Sequence, residues 1–443
     1  MTNPSPLLLG VDIGTTTLSL IVLDTAGGHV ISRQTLPNGG IQAGLQGIQH
    51  AHRIADQTLD AVAALCDAYP GIASIGVTGQ MHGVLCLSGA GEAVSPLYTW
   101  QCTLADEPLC NAIAQKTGHA VHPGYGHATL HALAQSGCLP QNAQQYCTIM
   151  DYIVMRLTGR QTPLMHAANA ASLGLWDLAG ARFDEAAVRS LIPLRAPQTT
   201  AESLAAGTYR GIPVSVAIGD NQASFFGSVR DEARSLLLNY GTGSQLSFVC
   251  ASADTPGGEI RPYIGNQYLL CRSALCGGRA YAMLERFFAA FAVQAGYSEA
   301  AHYETLNALA AQAQRDTRRL QVSTLFCGTR EDPGLRGSIA GIGEDNFTPG
   351  ALALGVLQGM ADELHSGFDA AAHPHITCAV ASGNAVRKNP VLRRVLGDTF
   401  SMPLSLPIQQ EEAALGAALF GGMCAGMLTY PQAKAFIRLD EAD

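Results

Sequence analysis

Leu9-Gly10-Val11-Asp12-Ile13-Gly14-Thr15-Thr16-Thr17 and Leu236-Leu237-Leu238-Asn239-Tyr240-Gly241-Thr242-Gly243-Ser244 are two versions of one pattern, about half the chain apart. Each is an apolar run that breaks into Gly-Thr and further small or hydroxyl residues. Each then resumes as a second strand-like run, Leu18 to Leu23 in the first copy and Leu246 to Cys250 in the second. The pattern predicts a β-hairpin with a polar tip. Glycine at the tip lets backbone approach a ligand closely, and successive amide hydrogens in such a turn form a concave anion site, to which threonine hydroxyls add donors. Gly14 pairs with Gly241 and Thr15 with Thr242, so the chain reads as an internal duplication whose two lobes clamp phosphates between them.

Length and composition agree with two lobes. At 443 residues the chain is longer than one core usually supports. We place the boundary near Arg230, giving lobes 1–230 and 231–443; no Pro, Ser or charge run marks it, so the lobes are expected to be tightly joined. A hydrophobic content of 47% with 14% charged residues describes a packed globular protein. The net charge of -9 and the presence of only three lysines, Lys116, Lys388 and Lys434, exclude the broad basic face that nucleic-acid binding needs. Arg315, Arg318 and Arg319 read as a solvated helix face. The twelve cysteines show no C-x-x-C pair or zinc spacing and read as free thiols in a reducing cytoplasm. Met1 to Leu9 has no basic segment and Asp12 interrupts any signal-like apolar run, so a cytoplasmic protein is expected. Ala413 to Ala433 carries no charge and approaches the length of a membrane span, but its Ala and Gly content predicts a buried helix with close backbone packing and no membrane partner. A homodimer is left open.

Along the first half, Gly47 to Tyr69 has helical apolar spacing, Ile72 to Val77 is a strand, and Thr78-Gly79-Gln80-Met81-His82-Gly83 places polar groups where that strand ends. Ligand sites often sit at such carboxyl ends in α/β sheets. Met150 to Leu157 reads as a helix, Ala201 to Gly207 as a turn-rich stretch, and Pro213 to Ile218 as a strand ending in Gly219-Asp220-Asn221-Gln222. The second half repeats the plan. A helical region from Gly278 to Asp316, a Gly-rich loop from Cys327 to Gly343, a helix from Pro349 to Phe368, the strand Ile376 to Ala381 and the helix-like Asn389 to Phe400 follow the second hairpin.

Neither G-x-x-x-x-G-K-[ST] nor G-x-G-x-x-G is present, so nucleotide binding rests on the duplicated hairpins. Asp-x-Gly-Thr-Thr at the start, Gly-Asp-Asn between the lobes, Gly-Thr-Gly-Ser opening the second lobe and Ser-Gly-Asn-Ala-x-x-x-Asn near the end resemble, as an ordered set over essentially the whole chain, the FGGY carbohydrate kinases. The resemblance implies an α/β protein of the two-lobed, actin-like (ribonuclease H-like) fold, each lobe built around a mixed β-sheet. Within the family, Val77 to Val84, Tyr98-Thr99-Trp100-Gln101, Gly124 to Thr129 and Pro163 to Ser172 are most similar to the sedoheptulokinases. Cys102 and Thr103 depart from the Asp and Arg that the family commonly carries after Trp-Gln, and Ser19 stands where a basic residue is frequent.

Asp220, at the tip of an apolar strand, suits a general base accepting a sugar hydroxyl's proton; an Asx-turn or helix cap is the commoner reading of an isolated Asp, and the family position favours the base. Asp12 at the first tip would repel phosphates unless a cation intervened, which points to magnesium held largely through water. Gly14, Thr15, Thr16, Gly241 and Thr242 are expected to hold phosphates. By resemblance, Gly278, Gly383, Asn384 and Asn389 lie near the nucleotide, with helix capping an equally compatible role for the asparagines. Gln80, Met81, His82, Trp100 and Asn221 are assigned to the sugar, although core packing explains a lone Met, His or Trp about as well. His127 and His131, four apart, lack H-E-x-x-H and read as a structural pair. The whole implies an ATP- and magnesium-dependent kinase of a small sugar. Sedoheptulose is the favoured acceptor, giving its 7-phosphate, with xylulose-type sugars or polyols next. A non-kinase ATPase of the actin and Hsp70 fold group, or a silent sugar sensor, are the rivals.

Overall fold

The computed structural model describes residues 5–42, 44–297, 302–313, 319–329, 332 and 334–441. Two mixed sheets of seven strands organise the chain. In the first, Leu7–Ile13 pairs antiparallel with Thr17–Asp24, which pairs antiparallel with His29–Pro37. On its other side Leu7–Ile13 runs parallel to Ile72–Gly79, itself parallel to Ile212–Ser215, with Ala205–Tyr209 antiparallel at the edge. In the second sheet Ser235–Tyr240 pairs antiparallel with Ser244–Cys250, and that strand with Tyr268–Ala274. Ser235–Tyr240 is in turn parallel to Cys378–Ser382, which is parallel to Leu404–Pro407. The order of parallel and antiparallel neighbours around each hairpin is the same, so the duplication read from two short motifs extends through both sheets. The chain has the two-lobed, actin-like α/β fold.

The opening strand LLLGVDI is central and covered on both faces, which is why it is almost uninterruptedly apolar. His29–Pro37, at the edge of the sheet beyond Thr17–Asp24, alternates exposed and half-buried residues, as an edge strand does.

The uncharged segment near the end forms the helix Glu412–Cys424, whose residues Ala414 to Gly422 are all buried. An all-round apolar helix of this length belongs inside a protein. It lies on the first sheet and against the helix Asp220–Ser228 at backbone contact. A Cβ on Gly10 would come 1.9 Å from the Ala414 carbonyl oxygen, on Gly76 1.7 Å from that of Ala417, and on Gly416 1.9 Å from that of Ala223. No helix of the described residues is long and apolar enough to cross a membrane. A third core, from Val84 and Tyr146 through Leu173 and Trp176, sits in the stretch between Ile72–Gly79 and Ala205–Tyr209. His127 is buried there, with ring nitrogens 2.8 Å from the Gly174 carbonyl and 2.9 Å from the Tyr146 hydroxyl, and His131 bonds the Leu191 carbonyl. Both histidines are therefore structural.

Four expectations change. The stretch read as turns at Gly207 includes the strand Ala205–Tyr209, which forms a hairpin with Ile212–Ser215, and Gly207 leaves room there for the Thr158 side chain. Pro213 to Ile218 is split into Ile212–Ser215 and Ile218–Gly219, so the second piece can continue along Thr78 and Gly79. Gly278 to Asp316 contains two helices, Gly278–Gln294 and Tyr303–Ala313. The Gly-rich loop contains Ser338–Ala340, paired with Gln321–Ser323. Arg315 and Arg318 lie outside the described residues, and Arg319 is exposed. The twelve cysteines are free.

Candidate active site

The parallel pairing of Leu7–Ile13 with Ile72–Gly79, and of Ile72–Gly79 with Ile218–Gly219, brings two carboxylates to the same end of one sheet. Asp12 is in register with Thr78, and Gly219, which precedes Asp220, is in register with Gly79. Asp220 is the first residue of the helix Asp220–Ser228, and its carboxylate accepts the Asn221 amide at 2.8 Å. The helix N-terminus favours its charge, but burial dominates and pushes its pKa from 3.8 to about 6. Asp12 is pushed from 3.8 to about 8, first by burial and then by Asp220 and Glu411. Its Oδ1 is buried without a hydrogen-bond partner. Glu411 caps the helix Glu412–Cys424 from a left-handed conformation, φ 43°. Asp12, Glu411, Ser224, Gly383, Asn384 and Arg387 line one cavity of about 240 Å³, so the first strand and the turn after Cys378–Ser382 share it. Arg387 bonds Glu412 at 2.6 Å across its wall.

An orphaned buried carboxylate oxygen beside further acids is a donor set that fits a hard divalent cation. Magnesium takes few protein carboxylates and completes its shell with water and phosphate oxygens. Among the described residues no group of three or more His, Cys, Asp or Glu is arranged to hold a metal unaided.

The tip of the second hairpin is tied to the start of a helix. Gly241 and Thr242 are exposed at that tip, and their carbonyls accept the amides of Gly278 and Arg279, at the start of helix Gly278–Gln294, at 2.9 and 3.1 Å. Gly383 has φ 94°, and a Cβ there would lie 2.3 Å from the Tyr240 carbonyl oxygen. Asn384 begins the helix Asn384–Lys388 beside the cavity. Asn389 is buried, and its Oδ1 accepts the amides of Val391 and Leu392. Its observed role is the helix cap.

At the first hairpin Gly14 donates to the Thr17 carbonyl at 2.9 Å and Thr16 is exposed. Thr15 joins the tip to the neighbouring pocket: its Oγ1 accepts Trp100 Nε1 at 2.9 Å and lies 3.3 Å from Gln80 Oε1, and its carbonyl accepts Gln49 at 2.8 Å. His82, Trp100, Glu107, Tyr125, Leu275 and Thr329 are among the residues lining a cavity of about 290 Å³ to which both halves of the chain contribute. His82 has φ 68°, its Nδ1 is 2.8 Å from the Ser172 carbonyl, and its ring stacks on Tyr125 at 4.5 Å. Of the three residues Gln80, Met81 and His82, His82 forms this cavity's wall. Gln80 is buried in the Thr15 and Gln49 network, and Met81 is buried with its sulfur under Gly219. Cys102 is buried and Thr103 exposed, and the acid on the wall is Glu107.

Asn221 faces the second sheet. Its amide nitrogen donates to Gln245, and its Oδ1 accepts from Arg261 at 3.2 Å and from the Cys271 thiol at 3.1 Å. Arg261 and Glu411 were not singled out by the sequence reading. The available signals were a charge inside the sheet segment Glu259-Ile260-Arg261-Pro262 and an acidic pair directly before an uncharged helix.

Residues 7–227 match the N-terminal domain and residues 236–425 the C-terminal domain of the FGGY family of carbohydrate kinases. The chain is 28% identical to human sedoheptulokinase, over 94% of this chain and 97% of that protein. It is also 28% identical to a glycerol kinase of Myxococcus xanthus, over 82% and 78% respectively. Among solved structures, a xylulose kinase from Rhodospirillum rubrum superimposes with a TM-score of 0.84 at 21% identity, over 98% of this chain and 93% of that one. A gluconate kinase from Lactobacillus acidophilus gives a TM-score of 0.84 at 19% identity over the same shares. With both lobes matched in order and a paired-carboxylate cleft between them, the chain belongs to the FGGY family of carbohydrate kinases.

Proposed function

We propose that this kinase transfers the γ-phosphoryl group of ATP to a terminal hydroxyl of a ketose, with sedoheptulose the favoured acceptor and sedoheptulose 7-phosphate the product. The observation that carries the reading is the placement of Asp12 and Asp220 at the same end of the two strands that flank Ile72–Gly79, with Asp12 in the wall of a cavity that Gly383 and Asn384 also line, and with a second cavity walled by aromatic rings formed by both halves of the chain. Asp220 accepts the proton of the attacking hydroxyl. The amides and hydroxyls of Gly14, Thr15, Thr16, Gly241 and Thr242 hold the phosphates, and Gly278, Gly383 and Asn384 admit the nucleotide against bare backbone. Asp12 would hold magnesium, which when bound screens phosphate charge. His82, Trp100 and Tyr125 present ring faces and polar edges to the sugar, and Glu107 supplies the acid where Cys102 and Thr103 replace the family's charged pair. In this division of labour residues 1–230 carry acceptor and base, and residues 231–443 carry nucleotide.

The likeness to sedoheptulokinase over nearly the whole of both chains supports the heptulose, and glycerol and xylulose are the competing acceptors. A coupled assay of ADP formation with five- to seven-carbon ketoses, glycerol and gluconate tests the choice. The highest kcat/KM is expected with sedoheptulose. Preference for another acceptor overturns the sugar assignment, and equal ADP formation with and without every acceptor overturns the kinase reading.

A further inference from the structure

Arg261 is a guanidinium buried almost completely between the lobes, on the strand Glu259–Pro262 at the edge of the second sheet. One of its terminal nitrogens donates to Asn221 at 3.2 Å, the other to Glu259 at 2.7 Å. Its Nε is buried without a partner. Glu259 in turn accepts the Tyr125 hydroxyl at 3.3 Å, and Tyr125 stacks on His82 in the wall of the aromatic cavity. The contacts run from the acceptor cavity of the first lobe, across to the second, and back to the residue that follows Asp220.

A buried charge that leaves one donor unused costs stability, so the two bonds that it does make are what its place in the fold supplies. Here the guanidinium fork grips two groups that belong to different lobes. Asn221 sits in the first turn of the helix that begins with Asp220, and its amide is also the donor to the Asp220 carboxylate. Whatever orients Asn221 orients Asp220.

We propose that Arg261 is a positioning residue: through Asn221 it fixes the turn that carries Asp220, and through Glu259 and Tyr125 it ties that turn to the wall of the aromatic cavity. The inference rests on the kinase reading for its role in turnover, but the positioning itself can be read without turnover.

The full chain is compared with Arg261→Lys, Arg261→Ala, Tyr125→Phe and the double variant Tyr125→Phe/Arg261→Lys. Lysine keeps the charge but cannot hold Asn221 and Glu259 together, so kcat should fall about 10- to 100-fold while KM for ATP stays within about twofold. Added guanidinium should restore part of the kcat lost in Arg261→Ala. The double variant should be no slower than Arg261→Lys, because both changes cut the same chain. Hydrogen exchange of the 219–222 amides should be faster in Arg261→Lys, whatever the activity. If the wild-type chain forms no ADP with any acceptor, the kinase reading falls and the exchange measurement alone decides on Arg261. Unchanged exchange in a folded Arg261→Lys variant, or rate losses in the double variant that simply multiply, overturns the proposal.

Discussion

Asp12 is held at a cost that the fold should reveal on titration. In the unfolded chain its carboxyl ionises near 3.8, whereas in the folded protein burial, Asp220 and Glu411 raise that value to about 8. Between these two values the unfolded state has released the proton and the folded state has kept it. The unfolded chain therefore binds fewer protons, and stability falls as pH rises through this window. Each unit of pH costs about 1.4 kcal/mol, so at pH 7 the accumulated loss is roughly 4 kcal/mol relative to pH 4. Asp12→Asn preserves shape and removes the titration. It should lie within about 1 kcal/mol of the wild type near pH 4.5 and exceed it by several kcal/mol near pH 7.5, with a Tm gain of several degrees, while losing phosphoryl transfer. Thermal or urea unfolding of both proteins across that range is the assay. Wild-type and Asp12→Asn stabilities that run parallel from pH 4.5 to 8 would show that Asp12 carries no burial cost, and the argument for a cation-seeking carboxylate would go with it.

Other consequences are equally direct. Asp220 must be ionised to accept a proton and its pKa is raised to about 6, so kcat/KM should fall below about pH 6. Asp220→Asn should lose about 100- to 10,000-fold in kcat while still binding ATP in a calorimeter, and near-normal turnover would remove the base assignment. Gly76→Ala places a Cβ 1.7 Å from the Ala417 carbonyl oxygen; a loss of about 1–3 kcal/mol or more in urea unfolding is expected, and a neutral substitution would contradict the backbone contact. Trp100 is 48% exposed and Trp176 8%, so a sugar filling the cavity should shift tryptophan emission to the blue in the wild type and leave Trp100→Phe unchanged. Lys434→Met strands Glu232, whose carboxylate lies 2.5 Å from the ammonium; about 3–5 kcal/mol of stability should be lost, and Lys434→Met/Glu232→Gln should recover much of it.

The hairpins were legible because glycine and threonine punctuate an otherwise apolar run, and both the tip and the returning strand leave local traces. The carboxylate positions were legible for the same reason: a polar residue at the end of a hydrophobic strand has few places to go. Partners were not legible. Asn221 was assigned to the sugar from its place beside Asp220, but its amide is used by Gln245, Arg261 and Cys271, residues that only the closing of two sheets brings near. Glu411 reaches Asp12 from the far end of the chain for a similar reason. Asn389 shows the opposite limit. Capping and nucleotide binding want the same residue after a strand, and only the direction of its Oδ1, onto Val391 and Leu392, separates them. The composition of Glu412–Cys424 announced close packing, yet the glycines it meets, Gly10 and Gly76, are ordinary strand residues when read alone.

The helix Asp220–Ser228 explains why two halves of such different sequence must fold as one object. Its N-terminal turn is gripped through Asn221 by Arg261 of the second sheet. Its C-terminal end is gripped by Lys434, which donates to the carbonyls of Phe226 at 2.9 Å and Val229 at 2.6 Å and lies 4.3 Å from the Phe226 ring. A cation there complements the negative end of the helix, as Asp220 complements the positive end. Along its flank a Cβ on Gly227 would lie 2.1 Å from the Glu412 carbonyl oxygen, so the helix after Glu411 is seated against it at backbone distance. Glu232, which holds Lys434, also accepts the hydroxyls of Tyr263 at 2.6 Å and of Tyr430, and so joins the crossing between the lobes to the second sheet and to the last helix. The helix that carries the base is thus clasped at both ends and along one side by residues from the second half of the chain. Ala414, Leu415, Ala418 to Phe420, and Ala433 beside Lys434, share the core of the first sheet, so the Lys434 and Glu412 contacts seat the helix in the first lobe, whereas the Arg261 contact joins it to the second sheet. The Lys434 end is the more deeply bonded of the two, with a carboxylate, two carbonyls and a ring around one ammonium. Lys434→Met should therefore loosen the whole helix and Arg261→Lys only its N-terminal turn, and hydrogen exchange of the 220–228 amides in the two variants reads the difference.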